Sequence, residues 1–71
     1  MTPKELQLSL LILGFKKVRI DPLPIFIHKE SIVYFCETLV KYTVKDDMLL
    51  IANNCNMEKV LEAILQEIDN V

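Results

Sequence analysis

Glycine and histidine each occur once in this chain, as Gly14 and His28. A single glycine excludes the glycine-rich loops that hold phosphate groups against closely approaching backbone amides. With Cys36 and Cys55, the lone histidine supplies only three of the four Cys or His ligands that a structural zinc site needs. We therefore expect no metal and no cofactor.

Cysteine and proline are also scarce, with two and three residues in a chain of 71. This composition excludes a small disulfide scaffold and a disordered chain, and the length predicts one domain. The apolar run LQLSLLILGF lacks the basic start and the cleavage site of a signal peptide. It is also shorter than the roughly 20 residues that span a bilayer. We expect a cytoplasmic protein with reduced thiols and no membrane partner.

Apolar residues, by contrast, make up 52% of the chain. A domain of this size buries only about 60% of the surface that its unfolded chain exposes. The apolar residues should therefore exceed what one small core can hide, and this excess favours an interaction surface.

Charge is unevenly distributed along the chain. Residues 16–45 carry six basic and three acidic side chains, whereas residues 46–71 carry one basic and six acidic side chains. Asymmetry of this size can indicate an oriented partner, but we favour the interpretation that it reflects two solvated faces of different charge.

The N-terminal segment has clear signals for the start and end of a helix. Thr2 suits the N-cap, Pro3 the first helical position and Glu5 the third residue after the cap, so the segment predicts a capping box. Gly14 suits the left-handed position that follows a helix. Because the leucines between them cover more than one face, we expect this helix to be largely buried.

The middle of the chain favours strands. IFIHK at 25–29 is short, β-branched and aromatic, and Pro22 and Pro24 keep the chain before it extended. A further strand at 18–20 is left open. Residues 32–44 combine a near-helical spacing of polar residues with strand-forming side chains, and we predict strands that break or bulge near 37–38. KDD at 45–47 predicts a hairpin turn, and the apolar run MLLIA at 48–52 predicts a central strand.

The last segment, MEKVLEAILQEIDNV, predicts an amphipathic helix with Asn54 or Asn56 as its N-cap. Acidic side chains lie toward one side of it. The apolar stripe has a 4-3-4-3 spacing and consists of Met57, Leu61, Ile64, Ile68 and Val71. Two heptads are too few for a coiled coil, so we interpret the stripe as core packing.

These elements predict an α+β fold, a small two-layer domain of order α-β-β-β-α. The simplest arrangement is an antiparallel meander sheet with the N- and C-terminal helices on one face. The other face of the sheet would then be open and would hold several apolar and aromatic side chains.

The stretch FIHKESIVYFCE holds the residue types of a thiol hydrolase. A hairpin with loop 29–31 would place His28 opposite Ile32, and Cys36 four residues further along at about 3.3 Å per residue. That separation is too long for the imidazole to activate the thiol. A minimal thiol enzyme using His28 with Cys36 or Cys55 remains an alternative, but we predict structural thiols and no enzyme.

Nucleic-acid binding through the basic 16–29 region is a second alternative, with Lys16, Lys17, Arg19 and Lys29 as contacts. The α-β-β-β-α order resembles that of double-stranded-RNA-binding domains, which implies phosphate contacts from the start of the last helix. Here that helix begins NMEKVLEAI, with acidic residues where cations are needed. The sequence therefore argues against a nucleic-acid partner.

We predict a small non-catalytic protein–protein interaction module that forms a homodimer or binds another protein through an apolar surface. Seven lysines against one arginine are typical of an AT-rich coding source, which would suit an accessory or phage-type regulatory protein. The predicted partner-binding residues are Phe26, Tyr34, Tyr42, Lys16, Lys17 and Arg19.

Overall fold

A computed structural model describes residues 1–20, 23–53 and 55–69, with side chains in the last helix as far as Glu67. The elements are helix α1 (Pro3–Ile12), strands β1 (Lys16–Arg19), β2 (Ile25–His28), β3 (Ser31–Phe35), β4 (Leu39–Val44) and β5 (Asp47–Asn53), and helix α2 (Glu58–Asp69). The strands form one antiparallel sheet in the order β1-β2-β3-β4-β5. The predicted meander between two terminal helices is confirmed.

The sheet has five strands because the two segments with uncertain predictions, 18–20 and 32–44, both contribute strands. The possible strand at 18–20 is β1, which begins earlier, at Lys16, and ends at Arg19. Residues 32–44 are strand rather than helix, and the chain breaks between Phe35 and Leu39 as predicted. Cys36 N donates to Leu39 O at 2.8 Å and closes this turn.

Helix α1 begins with the predicted capping box. Glu5 N donates to Thr2 Oγ1 at 3.2 Å, and Thr2 N donates to Glu5 Oε1 at 3.0 Å. The hydrogen bond from the Thr2 backbone lowers the pKa of Glu5, since it favours the ionised carboxylate. Gly14 follows the helix with φ +99°, the left-handed conformation that glycine adopts without strain.

The expectation that α1 is largely buried is wrong. Leu6 and Leu10 are fully buried, whereas Leu8, Leu11 and Ile12 are 55%, 48% and 85% exposed. The helix lies on one face of a two-layer domain, and nothing in the described part of the chain covers its outer side. An exposed apolar surface on α1 is the consequence.

The β2–β3 and β4–β5 hairpins have turns of two residues. Lys45 and Asp46 both have positive φ, 53° and 67°, as a type I′ turn requires, so the turn predicted at KDD is confirmed. In the β2–β3 hairpin His28 pairs with Ser31, so the expected loop 29–31 is one residue too long. The expected pairing of His28 with Ile32 is therefore wrong.

Both helices pack on one face of the sheet and close a single core. The strands contribute Phe26, Val33, Phe35, Val40, Tyr42 and Ala52, and the helices and loops contribute Leu6, Leu10, Phe15, Met57, Val60 and Ile64. Met57 and Ile64 of the predicted α2 stripe are buried and Leu61 is half-buried, so the stripe is core packing as far as it is described. The predictions for Pro22, Asn54, Val71 and the side chain of Ile68 lie outside the described residues.

The apolar run at 48–52 is not a central strand. It forms most of β5, which lies at one edge of the sheet. Ala52 is 2% exposed beneath α2, but Met48, Leu49 and Ile51 are about half exposed, at 52%, 48% and 51%. A continuous apolar run indicates burial on both faces, and here only one face is covered.

Candidate functional site

The face of the sheet turned away from the helices is not covered by either helix. Residues paired across antiparallel strands share a face, and the register gives two rows that cross all five strands on this side of the sheet. The first row is Lys16, Ile27, Ile32, Thr43 and Met48, and the second row is Arg19, Ile25, Tyr34, Lys41 and Ile51. We call these ten residues the open face.

The open face is mainly apolar, and its central residues are more buried than those on β5. The central isoleucines and Tyr34 are half-buried among their neighbours, while Met48 and Ile51 on β5 are half exposed. A shallow depression of about 310 Å³ lies between Tyr34, Cys36, Lys41, Thr43 and Met48. The surface can therefore accept side chains from a partner without a change in the fold.

Charge on the open face has one sign. Its ionisable side chains are Lys16, Arg19, Lys41 and the phenol of Tyr34, with no carboxylate in either row. Lys41 is half-buried in the second row between Tyr34 and Ile51. A partner that covers Lys41 is favoured if it brings an acceptor or an acid, because a desolvated charge is costly without one.

The exposed side of α2 carries the opposite charge. Glu58, Glu62 and Glu67 are exposed there, and Lys59 is the basic residue among them, with its Nζ 3.5 Å from Glu62. The uneven charge of the sequence thus becomes a separation between a basic open face and an acidic helix.

The predicted partner-binding residues fall on both sides of the sheet. Tyr34, Lys16 and Arg19 belong to the open face. Phe26 and Tyr42 are 0% exposed and pack beneath the helices. A partner cannot reach them while the fold is intact, because Phe26, Val33 and Tyr42 are paired on the covered side.

Lys17 lies on the covered side of the sheet, next to Phe26. Its Nζ is 5.7 Å from the centre of the Phe26 ring, within the range of a cation–π interaction. Lys41, which is not among the predicted partner-binding residues, has a central place in the open face. Lys41 pairs with Tyr34 across β3 and β4. A predicted register for these two strands would therefore have placed Lys41 on the same face as Tyr34.

The side chains of the suggested thiol centre are not brought together. His28 is on the covered side, with its ring centre 5.3 Å from that of Phe15. Cys36 borders the depression on the open face, and Cys55 is exposed in the connection between β5 and α2. The imidazole has neither thiol within reach for general-base activation.

The cations suggested for nucleic-acid binding do not form one surface either. Lys16 and Arg19 lie on the open face, Lys17 lies on the covered side, and Lys29 is in the β2–β3 turn. Tyr34 is the one aromatic residue of the two open-face rows. Proteins that bind single strands generally stack successive bases on several aromatic side chains.

A second concave region lies on the helix side, where α1 and α2 end above the β2–β3 and β4–β5 turns. It has a volume of about 600 Å³ and an apolar floor that includes Leu13, Phe15, Val44 and Ile64. Its rim includes His28, Ser31, Glu67 and the ion pair between Lys45 and Glu30, with an N···O distance of 3.9 Å.

The hydroxyl of the buried Tyr42 lies 3.4 Å from the Oγ of Ser31, which is on the rim of this concave region. Burial raises the pKa of Tyr42, and the nearby Glu67 carboxylate raises it further, while the Ser31 hydrogen bond lowers it. The phenol is therefore a neutral structural group near pH 7. Among the described residues, no three His, Cys, Asp or Glu side chains are grouped as metal ligands.

Comparison with protein-family models, with curated proteins and with solved structures gives no match. In the described residues, neither helix has the length and apolar character needed to cross a bilayer. Function must therefore be argued from the surfaces of this chain.

Proposed function

We propose that this protein is a non-catalytic interaction module whose open face binds an acidic, amphipathic segment of another protein. The observation that supports the proposal is the composition of the open face. Six of its ten residues are Ile, Met or Tyr, and three are basic. An acidic amphipathic segment offers apolar side chains to the first group and carboxylates to the second.

Apolar contact supplies most of the affinity in this proposal. Ile25, Ile27, Ile32 and Tyr34 form a continuous block on β2 and β3. Removing apolar surface from water contributes roughly 25 cal/mol per Å². Soluble proteins seldom leave such patches uncovered beyond a few hundred Å², so the block is a natural place for a partner.

Charge selects which apolar segment binds. Lys41 lies within the apolar rows and Lys16 lies on the β1 side of them. A carboxylate that reaches Lys41 forms a charge-assisted hydrogen bond in a partly desolvated setting. A basic segment would bring like charges together and lose affinity.

The same charge argues against a second copy stacked on this face. Two sheets that pack face to face are about 10 Å apart, with side chains of both in the space between them. A twofold axis would place four lysines, Lys16 and Lys41 from each copy, in an interface to which the rows contribute no carboxylate. Such an interface is costly, because buried charges need partners of opposite sign.

The experiment uses three synthetic amphipathic helical peptides with one apolar pattern. Their polar faces carry glutamate, glutamine or lysine. Fluorescence anisotropy should show tightest binding for the glutamate peptide and weakest for the lysine peptide. Vesicles with phosphatidylserine and a single-stranded oligonucleotide test the two other partners that a basic apolar surface could attract. Binding to either of these without binding to the glutamate peptide would overturn the proposal.

The two cysteines locate the binding surface within the same experiment. Cys36 borders the open face and Cys55 does not, so the bound glutamate peptide should slow alkylation of Cys36 and leave that of Cys55 unchanged. Lys41→Glu should weaken the binding at least tenfold. Lys45→Glu, an equal charge change in the exposed β4–β5 turn, is the matched control and should have little effect.

A further inference from the structure

The two edge strands of the sheet differ in how they are protected against pairing with another strand. An edge strand has a row of unpaired N–H and C=O groups, and proteins commonly protect it with cations, short length or bulges. Strand β1 has all three: it has four residues, KKVR, of which three are basic, and its register shifts between Lys17 and Arg19.

Strand β5 lacks most of this protection. It has seven residues, DMLLIAN, with no cation and no proline, and its one charged residue, Asp47, is at the end. Met48, Leu49 and Ile51 are each about half exposed although α2 packs against the strand. A register shift leaves Leu49 without a partner in β4, while Leu50, Ile51, Ala52 and Asn53 pair regularly.

We propose that two copies of this chain associate through β5, antiparallel and about a twofold axis, to form one continuous ten-stranded sheet. The edge is complementary to itself. Antiparallel pairing places the apolar residues of one β5 against those of the other. It also places each Asp47 opposite the far half of the other strand, so the two carboxylates do not meet.

Charge favours this arrangement over stacked open faces. Lys41 lies on β4, one strand inside the edge. In the continuous sheet the two Lys41 backbones are at least three strand spacings apart, about 14 Å. That exceeds the Debye length of about 8 Å at physiological ionic strength. The apolar edge is thus paired without burying the cations, and the open faces of both copies lie side by side.

The pairing does not depend on what the open face binds. Twofold closure uses each β5 once and leaves only the two protected β1 strands as edges, so association stops at the dimer. The dimer therefore gives the apolar β5 residues a partner while the basic rows remain available.

Sedimentation velocity across a thousandfold range of concentration tests the dimer. The unaltered chain should change from monomer to dimer as concentration rises. Leu49→Lys should raise at least tenfold the protein concentration at which half of the dimer has dissociated (the dissociation midpoint), because a cation at the apolar edge repels its symmetry mate. Two matched controls place the same lysine at other exposed apolar positions. Val18→Lys alters the β1 edge and Ile12→Lys alters the outer side of α1. Neither control should shift the midpoint.

Hydrogen exchange adds a test that does not depend on variants. Backbone amides of β5 should exchange more slowly at concentrations where the dimer forms, and those of β1 should not change. A monomer at every concentration would overturn the inference. So would a dimer that survives Leu49→Lys in a folded protein, or a dimer that Ile12→Lys or Val18→Lys dissociates instead.

Discussion

Tyr34 and Lys41 lie directly opposite each other on β3 and β4, and both belong to the open face. Phe35 pairs with Val40 between them and the β3–β4 turn, so the two residues are held opposite each other by a short, regular piece of sheet. Their pairing puts a lysine opposite a tyrosine at the centre of an apolar surface.

Lys41→Met should separate the contribution of charge from that of apolar contact. Methionine keeps the aliphatic bulk, so binding of an apolar peptide with glutamine on its polar face should change little. Binding of the matching glutamate peptide should weaken by about 5- to 30-fold, equivalent to about 1–2 kcal/mol. The affinity for the glutamate peptide should also depend less on salt concentration. Equal losses for both peptides in anisotropy titrations would show that Lys41 acts through packing alone.

Ile64→Ala should destabilise the fold strongly. Ile64 is 1% exposed and lies in the core on α2. Truncating a buried isoleucine costs about 2–5 kcal/mol, which is comparable with the whole stability of so small a domain. Glu62→Ala is the control on the same helix. It removes an exposed ion pair with Lys59 and should change stability by about 0.5 kcal/mol or less. Urea unfolding with equal losses for the two variants would contradict the assignment of the buried helix face.

Asp46→Gly should stabilise the β4–β5 hairpin. Asp46 has φ 67°, a left-handed conformation that glycine adopts without strain. Relief of that strain should outweigh the greater flexibility that glycine gives the unfolded chain. The free energy of unfolding should therefore rise by about 0.5 kcal/mol. Glu30→Gly changes the second residue of the β2–β3 turn, which is not among the positive-φ positions of the described residues. It should therefore lower stability, and thermal unfolding of the two variants should shift in opposite directions.

Local signals in the sequence predicted local structure well. The capping box at Thr2 and Glu5 and the turn at KDD follow from hydrogen bonding and backbone preference within a few residues. The choice of strand for 32–44 was also right, because β-branched and aromatic residues outweighed the spacing of polar residues. These features need no knowledge of the rest of the chain.

The face of the sheet on which each strand side chain lies was harder to predict. A shift of one residue moves every side chain of a strand to the other face. Phe26 and Tyr34 looked equivalent as aromatic strand residues, yet only Tyr34 is on the open face. The run MLLIA resembled a buried central strand because its length and composition do not say which strands flank it. Strand order, which depends on the whole meander, put it at the edge.

The capping box should make stability depend on pH in acid. Because the folded-state pKa of Glu5 is lowered, first by the Thr2 backbone hydrogen bond, its carboxylate stabilises the fold above the usual glutamate pKa. That contribution is lost as the pH falls through the lowered value. Glu5→Gln keeps an acceptor at this position and removes the titration. In urea unfolding at pH 7, the free energy of unfolding should therefore be higher for wild type than for Glu5→Gln. This difference should disappear near pH 2.

Thr2 provides an independent test of the same cap. Thr2→Ala should cost about 0.5–2 kcal/mol, since Glu5 N loses the hydroxyl acceptor that now lies 3.2 Å away. Thr2→Ser keeps that acceptor and should stay close to wild type. Loss of the cap should also reduce the acid sensitivity that Glu5 confers, because both hydrogen bonds depend on the geometry of the first turn. A Thr2→Ala variant as stable as Thr2→Ser at pH 7 would mean that the first turn of α1 is held by Leu6 and Leu10 in the core and gains nothing from its cap.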